Sequence, residues 1–387
     1  MFFSISLNRK ENFSEFFRLG NFDVNTDAGW QIHQQGSKTA VYKGYADQGT
    51  LLSLLDQILI QTEPKLTGNF CAIVYDSNTG TVEIKTDRYR GFPIFVDANN
   101  EVTNLTPYPQ VVWSNRHVSV NYDCTVNETK FNLVGTIDTT ELSKDEVVTQ
   151  IHKILDKRTE NFVKYNRLPI RAFLSGGVDS LLVYSYLQKY TDNYELIRCQ
   201  HIDYDRFWLN NHGTLENNWG YTQIHHWSEP CILTSGTPGD EFMLRGPITC
   251  HEYLKFHGIS MMDLLKNPLW ENCLHYSYYH KPENLETFNR ETDTVADSRL
   301  LQWALCNNVA NDWQHWHLGN TLTWTPLRDL EIFKLILRLP IDDAVAQIMN
   351  SDLSRTLIEQ NSPGLTKVIS DQKNFGNYMK NLCDFLL

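Results

Sequence analysis

Between Leu174 and Ser180 the chain reads LSGGVDS, with the apolar run IRAFL leading into it and a mostly apolar stretch after it. The adjacent Gly176 and Gly177 allow unusual φ angles and let the backbone approach a ligand closely. A strand, a tight Ser-Gly-Gly turn and a helix beginning at Val178 or Asp179 together make an anion site. The first N–H groups of such a helix point at the ligand along a favourable dipole. Ser175 and Ser180 add hydroxyls able to bond phosphate oxygens. Asp179 would be repelled by phosphate unless a cation lies between them, so this aspartate implies Mg²⁺. The expected chemistry is the cradling of a pyrophosphate group.

A second glycine-bearing segment, TSGTPGDEFMLRG from Thr234 to Gly246, follows the apolar CIL. Asp240 in it is a second candidate carboxylate. Two carboxylates from the C-terminal ends of different strands can hold metal around one pyrophosphate. The same GDE also suits a helix N-terminus, where acidic residues are favourable. HEYLKFH (His251, His257) is not a zinc motif, because its second histidine comes two positions too late for HExxH.

The elements that must position these loops are legible from pattern. From Ser143, SKDE offers a capping box before the helical run VVTQIHKILDKRTENFV. IRAFL, a helix over Val178 to Tyr190, YELIRCQHI, YTQIHHW and CILT then alternate, which predicts a parallel sheet with helices on its faces. ADSRLLQWALCNNV and LRDLEIFKLILRL read as C-terminal helices. Ahead of all this, TAVYKGYADQ, NFCAIVYDSNTGTVEIKTD and GFPIFVDANNEV read as strands, with Asn78 to Gly80 as a hairpin turn. The boundary is expected near residue 138, giving domains 1–138 and 139–387.

Composition narrows the partners. The 387 residues carry a formal net charge of −12 and no block of Lys and Arg, so nucleic acid is not the expected partner. No run of about 18 apolar residues is present to span a bilayer, and MFFSISLNRKENF lacks the features of a secretory signal. Eight scattered cysteines without a CxxC pair suit reduced thiols and a cytoplasmic location.

SGGVDS resembles the PP-loop signature SGGxDS of the ATP pyrophosphatases, which split ATP between its α and β phosphates and generally adenylate a substrate. TSGTPGDEFMLRG resembles the SGEGSDELFGG segment of the asparagine synthetase family, aligned without a gap. That resemblance implies that Ser235 and Gly236 face the adenosine and phosphates and that Asp240 joins Asp179 as a Mg²⁺ ligand. TPLRDLEIFKLILRLP resembles the family's VPFLDxxxxxxALxLP helix, with Asp329 as its cap. SPGLTKVISDQKNFGNY is similar to LPxxIxxRxKxxFG, which implies that Lys373 contacts the α-phosphate, although one residue rather than two separates Lys373 from Phe375. In the first half, LTGNFCAIVYD and TDRYRGFPIFV resemble the LxGxFAFxxWD and RDRFGxKPLYY strands of the family's glutaminase domain.

The implied fold is α/β, or α+β overall. A degenerate, β-rich, Ntn-hydrolase-like N-terminal domain precedes a PP-loop, adenine nucleotide alpha hydrolase-like parallel-sheet domain with C-terminal helices. The implied activity is that of an ATP-dependent, AMP-forming amide ligase in which Leu174, Ser175, Gly176, Gly177, Asp179, Ser180, Ser235, Gly236 and Asp240 hold ATP and Mg²⁺. Asp240 and Lys373 are its expected catalytic residues.

Departures from the family pattern shape this expectation. Phe2 stands where the glutaminase has its cysteine, so glutamine hydrolysis is not expected. Thr237 replaces the glutamate of SGEG, and Leu322 and Trp324 replace a Glu-x-Arg, which leaves the acceptor open. The partners expected are a small-molecule or peptide carboxylate and ammonia or an amine, with no membrane; a homodimer stays open. Three alternatives remain beside it: β-lactam or peptide cyclisation, tRNA modification, and nucleotide binding without turnover.

Overall fold

Alternating apolar residues set the first half of the chain as strands, and short turns dictate their pairing. The computed structural model describes residues 3–6, 13–61, 65–89, 94–96, 102–103, 116–121, 123, 125–130, 138, 140–174, 177–198, 229–234, 236, 239–245, 257–258 and 321–368. In chain order come β1 (Phe3–Ser6), β2 (Glu15–Leu19), β3 (Phe22–Thr26), β4 (Gln31–Gln35), β5 (Lys38–Ala46) and helix α1 (Leu51–Ile60). They are followed by β6 (Gly68–Asp76), β7 (Thr81–Thr86), β8 (Phe95–Val96), β9 (Val102–Thr103), β10 (Arg116–Val120) and β11 (Val126–Lys130). Two antiparallel sheets result, ordered β2-β3-β1-β9-β8 and β11-β10-β7-β6-β5-β4.

Period-two patterning gives the larger sheet two apolar faces. Val41, Ile73 and Ile84 join Ile5, Phe22 and Val24 of the other sheet in one cluster. Ala40, Tyr42, Ala72 and Val74, from the alternate positions, pack instead with Leu51, Leu55 and Ile58 of α1. The layers are therefore helix, sheet, sheet. The predicted hairpin forms between β6 and β7, where the Gly80 N–H donates to Asp76 O at 2.8 Å and Gly80 takes φ +69°.

The second half begins with α2 (Lys144–Tyr165), capped as the sequence predicts: the Glu146 N–H donates to Ser143 Oγ at 3.4 Å and the Ser143 N–H to Glu146 Oε2 at 2.9 Å. Then follow β12 (Ile170–Leu174), α3 (Val178–Tyr190), β13 (Tyr194–Arg198), β14 (Cys231–Thr234) and α4 (Gly239–Phe242). The last described elements are β15 (Thr321–Trp324), α5 (Leu330–Ile336), α6 (Ile341–Asn350), α7 (Asp352–Asn361) and a 3₁₀ turn at Leu365–Val368. The four strands β13-β12-β14-β15 form the expected parallel sheet. α3 is apolar nearly all round, with Val178, Leu182, Tyr186 and Leu187 buried, as suits a helix packed on β12 and between α2 and α7. Asp329 caps α5, accepting from the Glu331 and Ile332 amides at 2.8 and 3.2 Å. The segments YTQIHHW and ADSRLLQWALCNNV lie outside the described residues.

The sandwich and the parallel sheet meet through polar groups at exact stations on β15 and the turn after it. Tyr45 Oη donates to Thr323 O at 2.7 Å, and Asn69 Nδ2 donates to the same carbonyl at 3.2 Å. Phe162 stacks on Trp324 at 4.3 Å and meets Tyr45 edge-on at 5.6 Å. Arg158 donates to Asp47 Oδ2 and Asp329 Oδ2, each at 2.9 Å, and to Pro326 O at 3.0 Å. Burial alone would lower the guanidinium's pKa, but the Asp47 and Asp329 carboxylates outweigh it and hold the charge. Among the described residues no helix is long and apolar enough to cross a membrane.

Two outcomes are expected. Arg158→Ala strands two buried carboxylates and should lower stability by about 3–5 kcal/mol, read by urea denaturation. Ser143→Ala should lower it by about 1 kcal/mol at neutral pH, the usual worth of a side-chain cap. Hydrogen bonds from Ser143 hold the Glu146 carboxyl below its ordinary 4.5, so that contribution is present above this pH and fades as pH falls through the lowered value. The gap between variant and wild type should accordingly narrow in acid.

Candidate functional site

A parallel sheet wound outward from one strand in both directions leaves a crevice at the carboxyl ends where the direction reverses. Here the chain leaves β12, crosses through α3 and lays β13 on one flank; β14 and then β15 are added on the other flank. The reversal falls between β12 and β14. Both glycine segments singled out in the sequence follow these two strands.

Their backbones touch. A Cβ placed on Gly236 would lie 2.3 Å from the Asp179 carbonyl carbon and 2.4 Å from the Ser180 nitrogen. A side chain at position 236 would have to displace the first turn of α3. Gly239 stands equally close: its Cβ would lie 2.7 Å from Asp179 Cβ and Cγ and 2.8 Å from Leu327 Cδ1. Leu327 belongs to the turn after β15, so the segments following three parallel strands converge at Gly239. The Gly239 N–H donates to Gly236 O at 2.5 Å, which folds the second segment tightly into α4.

The N-cap of α3 is Gly177, which brings no side-chain acceptor; α6 and α7 also start without a side-chain cap, whereas α1, α2 and α5 start on Thr50, Ser143 and Asp329 caps. Leu174 ends β12 and packs against the core. The Ser180 hydroxyl, expected to serve phosphate, donates to Gly177 O at 2.9 Å and so braces the turn. Asp240 lies in α4, next to Gly239. Ser175, Gly176, Ser235 and Lys373 fall outside the described residues.

Asp179 carries a partner that the sequence reading missed. Arg245 Nη1 bridges both of its carboxylate oxygens, at 3.1 Å each, with the two side chains only 8% and 14% exposed. The sequence signal for Arg245 is its being the single basic residue within Thr234–Gly246. The preceding residue, Leu244, is fully buried in the left-handed region at φ +60°, a strained setting for a branched side chain. In the SGEGSDELFGG pattern both of these positions are glycine.

Asp179 is the acidic side chain that lies against Gly239. Mg²⁺ takes one or two carboxylates and completes its shell with phosphate oxygens and water. Asp240 follows Gly239 in α4. Among the described residues no group of three or more His, Cys, Asp or Glu is placed to hold a metal. Leu322 and Trp324 are buried, and the Trp324 ring stacks on Phe162. Cys71 and Cys231 are buried, and Cys231 Sγ accepts a hydrogen bond from Arg171 Nη1 at 3.3 Å.

Gly236→Ala should force α3 and α4 apart and lower stability by about 1–3 kcal/mol, measured by chemical denaturation. A variant as stable as the wild type would mean that the two turns are not in contact. No protein-family model matches the chain, and no curated protein matches it.

Proposed function

We propose that the chain is an ATP-dependent, AMP-forming amide ligase of the asparagine synthetase type, without a glutaminase of its own. The observation that carries this reading is the contact of Gly236 with the Asp179–Ser180 backbone at the switch point of the parallel sheet. The start of α3, capped by Gly177 and carrying Asp179, stands against a second glycine segment there, which supports the binding of a pyrophosphate leaving group.

In this reading an oxygen of the substrate carboxylate attacks the α-phosphorus of ATP. The bond between the α-phosphorus and its bridging oxygen breaks, pyrophosphate departs, and an acyl-adenylate remains. Ammonia or an amine then attacks the acyl carbon, AMP leaves, and the amide forms. Gly177, Ser175 and Gly176 cradle the departing phosphates, while Ser235 and Gly236 face the nucleotide. Asp179 and Asp240 would hold Mg²⁺, which when bound offsets the charge building on pyrophosphate. Lys373 supplies positive charge near the α-phosphate. The apolar burial of Leu322 and Trp324 supports an acceptor other than a free amino acid, because a charged substrate would find no counter-charge at those two positions.

A second reading, nucleotide binding without turnover, draws on the engagement of Asp179 by Arg245. ATP–pyrophosphate exchange separates the two. With a panel of carboxylates, the ligase should exchange label only with a suitable acid, and Asp179→Ala should reduce the rate by about 100-fold or more. Nucleotide bound tightly with no exchange for any acid would sink the ligase reading in favour of the second.

A further inference from the structure

We infer that β4 is a self-association edge: two copies of this chain pair their β4 strands antiparallel about a two-fold axis at His33. The inference does not rest on the nucleotide reading and concerns the open side of the larger sandwich sheet.

An open sheet edge is a template for another strand, and natural proteins guard it with charge, with shortness or with a covering element. The described edges follow this rule with one exception. β2 carries Glu15 and Arg18, β11 carries Glu128, β13 carries Glu195, and β8 is only two residues long. β15 is covered by the sandwich, whose Tyr45 and Asn69 donate to its Thr323 carbonyl. β4 reads QIHQQ, without Asp, Glu, Lys, Arg or Pro, and among the described residues it pairs with β5 alone. Ile32 is 56% exposed there. The large apolar side chains exposed among the described residues are Phe16, Ile32, Leu52 and Ile60, and the last three lie on β4 or on α1, the helix packed over β5 beside it.

A second copy is the occupant that fits this edge. The Gly36–Ser37 turn joining β4 to β5 has two residues, with Gly36 at φ +58°, which makes Gln35 and Lys38 a hydrogen-bonded pair. By alternation Gln31 and His33 bond to β5, while Ile32 and Gln34 turn their N–H and C=O groups to the open edge. Self-pairing centred on His33 sets Ile32 against Gln34 of the second copy, so the outward-facing residues exchange their N–H···O bonds on both sides of the axis. It also sets Gln31 against Gln35, whose amides each carry donor and acceptor, and brings the two Ile32 side chains onto the diagonal. The chain carries a formal net charge of −12, so two copies repel over most of their surface. This edge brings no like charges together, and a two-fold contact needs one self-complementary patch.

The test is sedimentation equilibrium of the full-length chain, with disulfide trapping to fix the register. The wild type should dimerise with a Kd of about 1–100 µM, as suits a short strand contact, and Ile32→Lys should weaken this by about tenfold or more. In His33→Cys the thiol faces its own symmetry mate in a non-hydrogen-bonded pair, where Cα atoms lie about 4.5 Å apart and a disulfide can close. Oxidised glutathione should therefore join His33→Cys chains into covalent dimers well above the wild-type background, and leave Gln35→Cys at that background. A wild type that stays monomeric at about 300 µM, a dimer equally tight in Ile32→Lys, or trapping no better in His33→Cys than in Gln35→Cys would overturn the assignment. Should Ile32→Lys fail to fold, the trapping comparison decides alone.

Discussion

Arg158 is the interaction on which the arrangement of this molecule turns. One buried guanidinium holds Asp47 from the sandwich, Asp329 at the start of α5 and the Pro326 carbonyl between them. Its bonds fix the turn after β15, and that turn carries Leu327 onto Gly239. Gly239 in turn stands against Asp179. A chain of direct contacts therefore runs from the residue after β5 to the first turn of α3. Buried ion pairs seldom add much net stability, but breaking one is expensive, and this asymmetry makes them effective at holding one geometry among several.

The same logic explains the polar seam around it. Thr323 presents its carbonyl to both Tyr45 and Asn69, and the Leu330 amide donates to Tyr89 Oη at 3.2 Å. Burial pushes the Tyr89 phenol well above its ordinary value, so it stays protonated as a neutral partner. Aromatic stacking of Phe162 on Trp324 fills the space between these bonds. Directional bonds set the angle between the layers and dispersion contacts fill it.

Much of the fold was legible in the residues. The capping box at Ser143 and Glu146, α3 from Val178 to Tyr190 and the hairpin at Gly80 follow from local pattern, because each depends on neighbours in sequence, and the parallel sheet follows from the alternation of strands and helices. The two glycine segments follow neighbouring parallel strands, and Gly236 stands against the Asp179–Ser180 backbone. Arg245 was not legible. A lone arginine in a turn gives no periodicity, and its partner lies 66 residues away. Arg158 was hidden for a related reason: it sits in a polar stretch of an amphipathic helix, where a charge is normally solvated. Long-range pairings of single charged side chains leave no mark on local sequence.

The seam between the sandwich and β15 has a consequence for biosynthesis. The hydrogen bond from Tyr45 to Thr323 spans 278 residues, and that from Asn69 spans 254. At ordinary elongation speeds the first strands wait on the order of tens of seconds before their partners leave the ribosome. During that interval Tyr45, Asn69 and Asp47 face water or a chaperone. Translation rate, and not only final stability, will govern how much of the chain reaches its native form.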